Sequence, residues 1–125
     1  MLGLADSYDF KLASAEAEFK QAIRLNPGLA DAYNNRGNAY ADKGDLERAI
    51  SDYGQAIRLD PGDAEAAEWL ARLYRLQNQH DKAEEVLRGA LARDPDNDGA
   101  LEQLSRLLLD QGRSAEAIAL LERSA

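Results

Sequence analysis

The sequence predicts an all-α chain built from helix pairs that repeat every 34 residues. Three observations carry this. Pro27, Pro61 and Pro95 stand 34 residues apart, each closing a segment that reads RLNPG, RLDPG or ARDPD. Ala15, Ala49, Ala83 and Ala117 keep the same interval, as do Ala22, Ala56 and Ala90. A bulky series, Phe19, Tyr53, Leu87 and Leu121, runs in register with a small series, Gly37, Ala71 and Ser105. Small residues at fixed points let helix backbones approach, and the bulky series fills the space between them.

At the amino end, Leu4, Tyr8, Leu12, Ala15, Phe19 and Ile23 form a stripe at helical spacing, with no Gly or Pro between Gly3 and Pro27. One long helix and a truncated hairpin turning near Asp9 to Leu12 compete for this segment. From Ala30 to Lys43, Ala30, Tyr33, Gly37, Tyr40 and Ala41 mark one helical face. Gly44 offers the left-handed conformation that ends a helix, and Asp45 caps the next. The second helix, Leu46 to Leu59, shows Leu46, Ala49, Ile50, Tyr53, Ala56, Ile57 and Leu59 on one broad face. Asp60-Pro61-Gly62-Asp63 stops it and opens the following pair.

That pair spans Ala64 to Gln77 and His80 to Arg93, with Asn78 at the place of the turn glycine. Asn tolerates the same left-handed region, so the hairpin is kept. The last pair runs from Asp98 to Asp110, turns at Gly112 and continues from Ser114 to Ala125. Ile118, Leu120 and Leu121 are apolar on this outermost helix, whereas the end of a helical array normally presents a polar face. This end therefore reads as uncapped.

Composition narrows the function. The 125 residues form one domain, 1–125, divided into units 1–29, 30–63, 64–97 and 98–125. The net charge of -8 is spread over these units, with no basic stripe to displace counterions, so nucleic acid is not expected as a partner. No run of apolar residues is long enough to insert in a membrane, and no signal peptide is visible, which leaves the cytoplasm as the default compartment. There is no Cys, hence no disulfide or thiolate chemistry. His80, the only histidine, sits beside a helix turn and reads as a packed or capping imidazole; without Cys or a second His no usual transition-metal set assembles. With no phosphate-binding glycine loop and no nucleophile elbow, neither catalysis nor a cofactor is expected.

The 34-residue helix-turn-helix unit resembles the tetratricopeptide repeat. The second unit, ADAYNNRGNAYADKGDLERAISDYGQAIRLDPGD, is similar to the family pattern throughout, with Tyr33, Gly37, Tyr40, Ala49, Tyr53, Ala56 and Pro61 in its signature places. The third matches at Leu70, Ala71, Tyr74, Ala83, Leu87, Ala90 and Pro95, and the fourth at Leu104, Ser105, Leu108, Ala117 and Leu121. The first resembles a repeat lacking its opening residues, since Leu2-Gly3-Leu4-Ala5 looks like part of a first helix; this favours the hairpin over the single helix. The resemblance implies a right-handed α-solenoid of antiparallel helix pairs, about 3.5 to 4 repeats, that binds a protein or peptide partner.

In such proteins the first helices of successive units line a concave groove. Carried over, that groove holds Asp31, Asn34, Asn35, Asn38 and Asp42, then Glu65, Glu68, Trp69, Arg72, Arg75 and Leu76, then Gln103, Arg106 and Asp110. An amide donates and accepts together and so grips a peptide backbone whatever its sequence. Trp69, the sole Trp, is a candidate anchor. The three arginines suit an acidic group, with local pairing to Glu68 or Glu102 as the competing use. A family-type carboxylate clamp is not expected, because Glu65 and Gly99 stand where basic residues would help. The rival function is assembly through the ends, with Leu4, Tyr8, Ile118 and Leu121 as self-association candidates forming a homo-oligomer. An excerpt, or an engineered segment, of a longer array accounts for the same features.

Overall fold

A computed structural model of the chain describes the backbone over residues 4–124 and the side chains over residues 14–122. Among the described residues the fold is all-α: α1 Leu4–Leu25, α2 Ala30–Lys43, α3 Leu46–Leu59, α4 Ala64–Leu76, α5 His80–Arg93, α6 Asp98–Asp110 and α7 Ser114–Ser124. None of these helices is long and apolar enough to cross a membrane.

Turn chemistry sets the boundaries. Gly44, Asn78 and Gly112 have φ of 90°, 60° and 75°, so Asn78 takes the left-handed turn position expected of it. Asp45, Asp63 and Asn97 cap α3, α4 and α6, each accepting from the backbone N–H three residues on, at 3.3, 3.1 and 3.1 Å. His80 opens α5 without capping it, and its Nδ1 is buried with no hydrogen-bond partner among the described residues. The expected amino-terminal hairpin is corrected: α1 is one helix of 22 residues. Asp9 to Leu12 contains no Gly or Pro, and Asp9 alone is too weak a turn signal to break the helix.

The chain divides into two compact units, Met1–Asp60 and Pro61–Ala125. In the first, α2 and α3 form an antiparallel hairpin and α1 packs on α2. Ala32, Ala39, Tyr40, Ala49, Tyr53 and Ala56 are buried. Gly37 makes room for Tyr53, since a Cβ there would lie 3.0 Å from Cε1 of the ring. The Tyr53 hydroxyl donates to Asn38 Oδ1. Beside it Arg36 makes a two-pronged ion pair with Asp52, Nε to Oδ2 and Nη2 to Oδ1 both at 2.7 Å. The Arg36 guanidinium also lies 5.6 and 5.7 Å from the ring centres of Tyr33 and Tyr40. Its bond to Asp52 holds the guanidinium protonated above its ordinary range.

In the second unit α4 pairs with α5 and α6 with α7, while α6 also packs on α5 and meets α4. Ala71, Ala83, Leu87, Ala100, Leu104, Leu107, Leu108 and Ala117 form its buried core. The small-and-bulky register holds at Ala71 with Leu87, both fully buried, and ends at Leu121, which is 47% exposed. α7 packs on α6, and the face carrying Ile118 and Leu121 is turned outward. An ion cluster ties α5 to α7: Arg113 bonds Glu84 at 2.6 Å and Glu116 at 2.6 Å, and Arg88 bonds Glu84 at 2.7 Å. Arg113 first, with Arg88 adding to it, holds the Glu84 carboxyl below the usual carboxylate range against a smaller opposing effect of burial.

Candidate functional site

α4 buries Ala66, Ala67, Leu70, Ala71 and Leu73, so its opposite stripe, Glu68, Trp69, Arg72 and Arg75, is left to the surface. α6 buries Ala100, Leu101, Leu104, Ser105, Leu107 and Leu108, leaving Gly99, Glu102, Gln103 and Arg106. These two stripes line one concave groove of about 490 Å³ within the second unit. Six residues expected at a binding surface, Glu68, Trp69, Arg72, Arg75, Gln103 and Arg106, come together there.

Their pairings differ in a way that decides what each offers. Arg106 bonds Glu102 at 2.9 Å on its own helix, and Arg75 reaches Asp110 at 3.4 Å. Arg72 stacks on Trp69, its guanidinium carbon 4.7 Å from the ring centre, and has no carboxylate partner among the described residues. Trp69 is 36% exposed, so the ring forms an open platform instead of a core side chain. Gln103 has its side-chain oxygen buried without a hydrogen-bond partner among the described residues.

Glu68, expected on the groove surface, lies there, but its side chain takes a direction the spacing does not predict. It lies one helical turn before Arg72, a spacing that favours an ion pair, yet no such pair forms. Its carboxylate instead lies over the first turn of α6 at Gly99, where a Cβ would run into it. The available signal was Gly99 itself, a poor helix former inside a helix, which needed a close approach to explain it.

In the first unit the three asparagines separate. Asn34 is buried, Asn38 accepts from Tyr53, and Asn35 is exposed. Of the self-association candidates, Ile118 and Leu121 are exposed, whereas the side chains of Leu4 and Tyr8 lie outside the described ones. Leu109 joins them as an exposed apolar side chain that the sequence did not single out. Among the described residues no three His, Asp or Glu side chains gather as a metal-binding group.

A tetratricopeptide repeat model matches residues 1–64 and 37–98, and a second tetratricopeptide repeat model matches residues 75–125. The chain is 38% identical over 50 residues to the tetratricopeptide repeat domain-containing protein PYG7, chloroplastic, of Arabidopsis thaliana. That match takes in 40% of this chain and 17% of the relative's length. Two crystal structures of MamA share the fold, with TM-scores of 0.77 and 0.78 at 21% and 24% identity. They align with 99% and 90% of this chain and 74% and 62% of theirs. The crystal structure of YrrB, described as a TPR protein with an unusual peptide-binding site, aligns with TM-score 0.72 and 26% identity over 85% of this chain and 55% of its own.

Proposed function

Because the chain belongs to the tetratricopeptide repeat family, a family of protein-interaction scaffolds, we propose that it binds a segment of a partner protein in the groove between α4 and α6. The observation that carries this reading is the half-open Trp69 with the unpaired Arg72 stacked on it. An aromatic platform and an arginine in a concave site are the side chains that most often dominate binding energy. The peptide-binding site ascribed to YrrB supports the same class of ligand. Asn35 provides a separate contact on the first unit, while the burial of Asn34 and the Tyr53 bond of Asn38 commit those two to the fold. Arg75 and Arg106 enter as residues that a ligand must first detach from Asp110 and Glu102.

The test is selection from a displayed peptide library against the intact chain, with Trp69→Ala as the counterscreen. Loss of the anchor should weaken selected peptides by about 30-fold, the equivalent of roughly 2 kcal/mol. Peptides that bind both forms equally would place recognition elsewhere.

A second reading, self-association, is favoured by one surface. Leu109, Ile118 and Leu121 are exposed on α6 and α7, at 53, 54 and 47%. Sedimentation equilibrium over a hundredfold range of concentration decides it. A dimer that disappears in Ile118→Ser/Leu121→Ser supports assembly through this face, and a monomer throughout removes it.

A further inference from the structure

The charges that the α4/α6 groove leaves unpaired have opposite signs. Among the described residues Arg72 stacks on Trp69 and meets no carboxylate, and Glu68, one turn earlier on the same helix, meets no cation. Glu68 N-terminal to Arg at this spacing is the favourable order for an intrahelical pair. The fold separates them, drawing Glu68 toward α6 over Gly99 and Arg72 onto the indole ring. Gln103, one turn beyond Gly99, adds a buried oxygen without a donor to the same groove. Acceptors thus gather near Glu68 and Gln103, and a guanidinium with its donors stands near Trp69. The remaining charged pairs of the groove, Arg106 with Glu102 and Arg75 with Asp110, are already satisfied within the chain.

We infer that the groove recognises an extended peptide segment carrying both signs of charge: an acidic side chain that pairs with Arg72 and a basic side chain that pairs with Glu68 beside Gln103. This rests on the reading of the groove as a peptide site and adds the ligand's chemistry to it. Charge complementarity selects this occupant over a purely acidic segment. Such a segment would place a carboxylate against Glu68 and would approach a chain of net charge -8 against long-range repulsion. A purely basic segment would leave Arg72 opposed by a like charge. The indole face of Trp69 takes an apolar residue between the two charged ones, and the two fixed charges give the bound segment a direction.

The experiment uses the intact chain and a synthetic array of octapeptides with a central Leu. The array places one Glu and one Lys at spacings of one to five residues in both orders, with all-Glu, all-Lys and uncharged controls. Trp69→Ala, Arg72→Gln and Glu68→Gln are probed in parallel, with helicity checked by circular dichroism. The expected result is at least tenfold tighter binding of one mixed-charge order than of its reverse and of every control. Arg72→Gln should abolish the preference for Glu, and Glu68→Gln the preference for Lys. Binding that depends on Trp69 but is equal across the charge sets overturns the mixed-charge inference and leaves the peptide groove standing. Absence of any Trp69-dependent binding overturns both.

Discussion

Gly37 and Tyr53 illustrate how one residue's absence of a side chain fixes another's place. The Tyr53 ring is fully buried and would lie only 3.0 Å from a Cβ of residue 37. Gly37→Val, which adds three carbons against the ring, should destabilise the chain by about 1–3 kcal/mol through overpacking; urea denaturation followed by circular dichroism measures it. The neighbouring Arg36–Asp52 pair makes a second residue-level prediction. Arg36 is 19% exposed and Asp52 5%, so the pair is more enclosed than a surface ion pair. Asp52→Ala should cost about 2–3 kcal/mol, less than the 3–5 of a fully buried pair because Arg36 retains some water. Arg36→Met/Asp52→Leu, which removes both charges, should recover most of that loss, and the same denaturation series compares the three forms. These residue roles were only partly legible. The 34-residue spacing placed Gly37 and Tyr53 in register, but Arg36 and Asp52 carry no periodic mark, and their pairing depends on how α2 faces α3.

At the scale of elements, the positions of α2 to α7 were legible because each turn has its own chemistry: Gly44, Asn78 and Gly112 in the left-handed region, and Asp or Asn caps on α3, α4 and α6. α1 is one helix where family resemblance suggests a hairpin, because Asp9 without a neighbouring Gly or Pro is too weak a turn signal. The candidate site was legible as a stripe on α4 and α6, since burying one helix face determines the other. The direction taken by Glu68 was not, because it depends on the space above Gly99 on a neighbouring helix. The contact of α7 with α5 supplies a pH prediction. Arg113 and Arg88 hold the Glu84 carboxyl below its ordinary range, so the folded chain binds that proton less readily than the unfolded one. The resulting stabilisation is fully present above the unfolded value of about 4.3 and is lost as pH falls through the lower folded value. Glu84→Gln should therefore destabilise the chain near neutral pH, and its difference from the unaltered chain should shrink below about pH 4. Urea midpoints at a series of pH values test this, and a difference that stayed constant with pH would argue against it.

For the whole molecule, the chain divides into two compact units, each with its own buried residues and exposed features. The first unit presents Asn35; the second presents the Trp69–Arg72 groove and the apolar face of Leu109, Ile118 and Leu121. A tetratricopeptide scaffold needs stable cores so that its surfaces are held ready for a partner. A groove substitution should accordingly change binding without changing the fold. Trp69 is the only Trp in the chain, so its emission reports directly on occupancy of the groove. The most direct measurement is a titration of library-selected peptide into the chain and into Arg72→Ala, followed by Trp69 fluorescence and by calorimetry. A saturable shift in Trp69 emission, with affinity reduced at least tenfold in Arg72→Ala at unchanged helicity, is the predicted result. Calorimetric binding that leaves Trp69 emission unaltered and is equal for both forms would contradict a peptide site between α4 and α6.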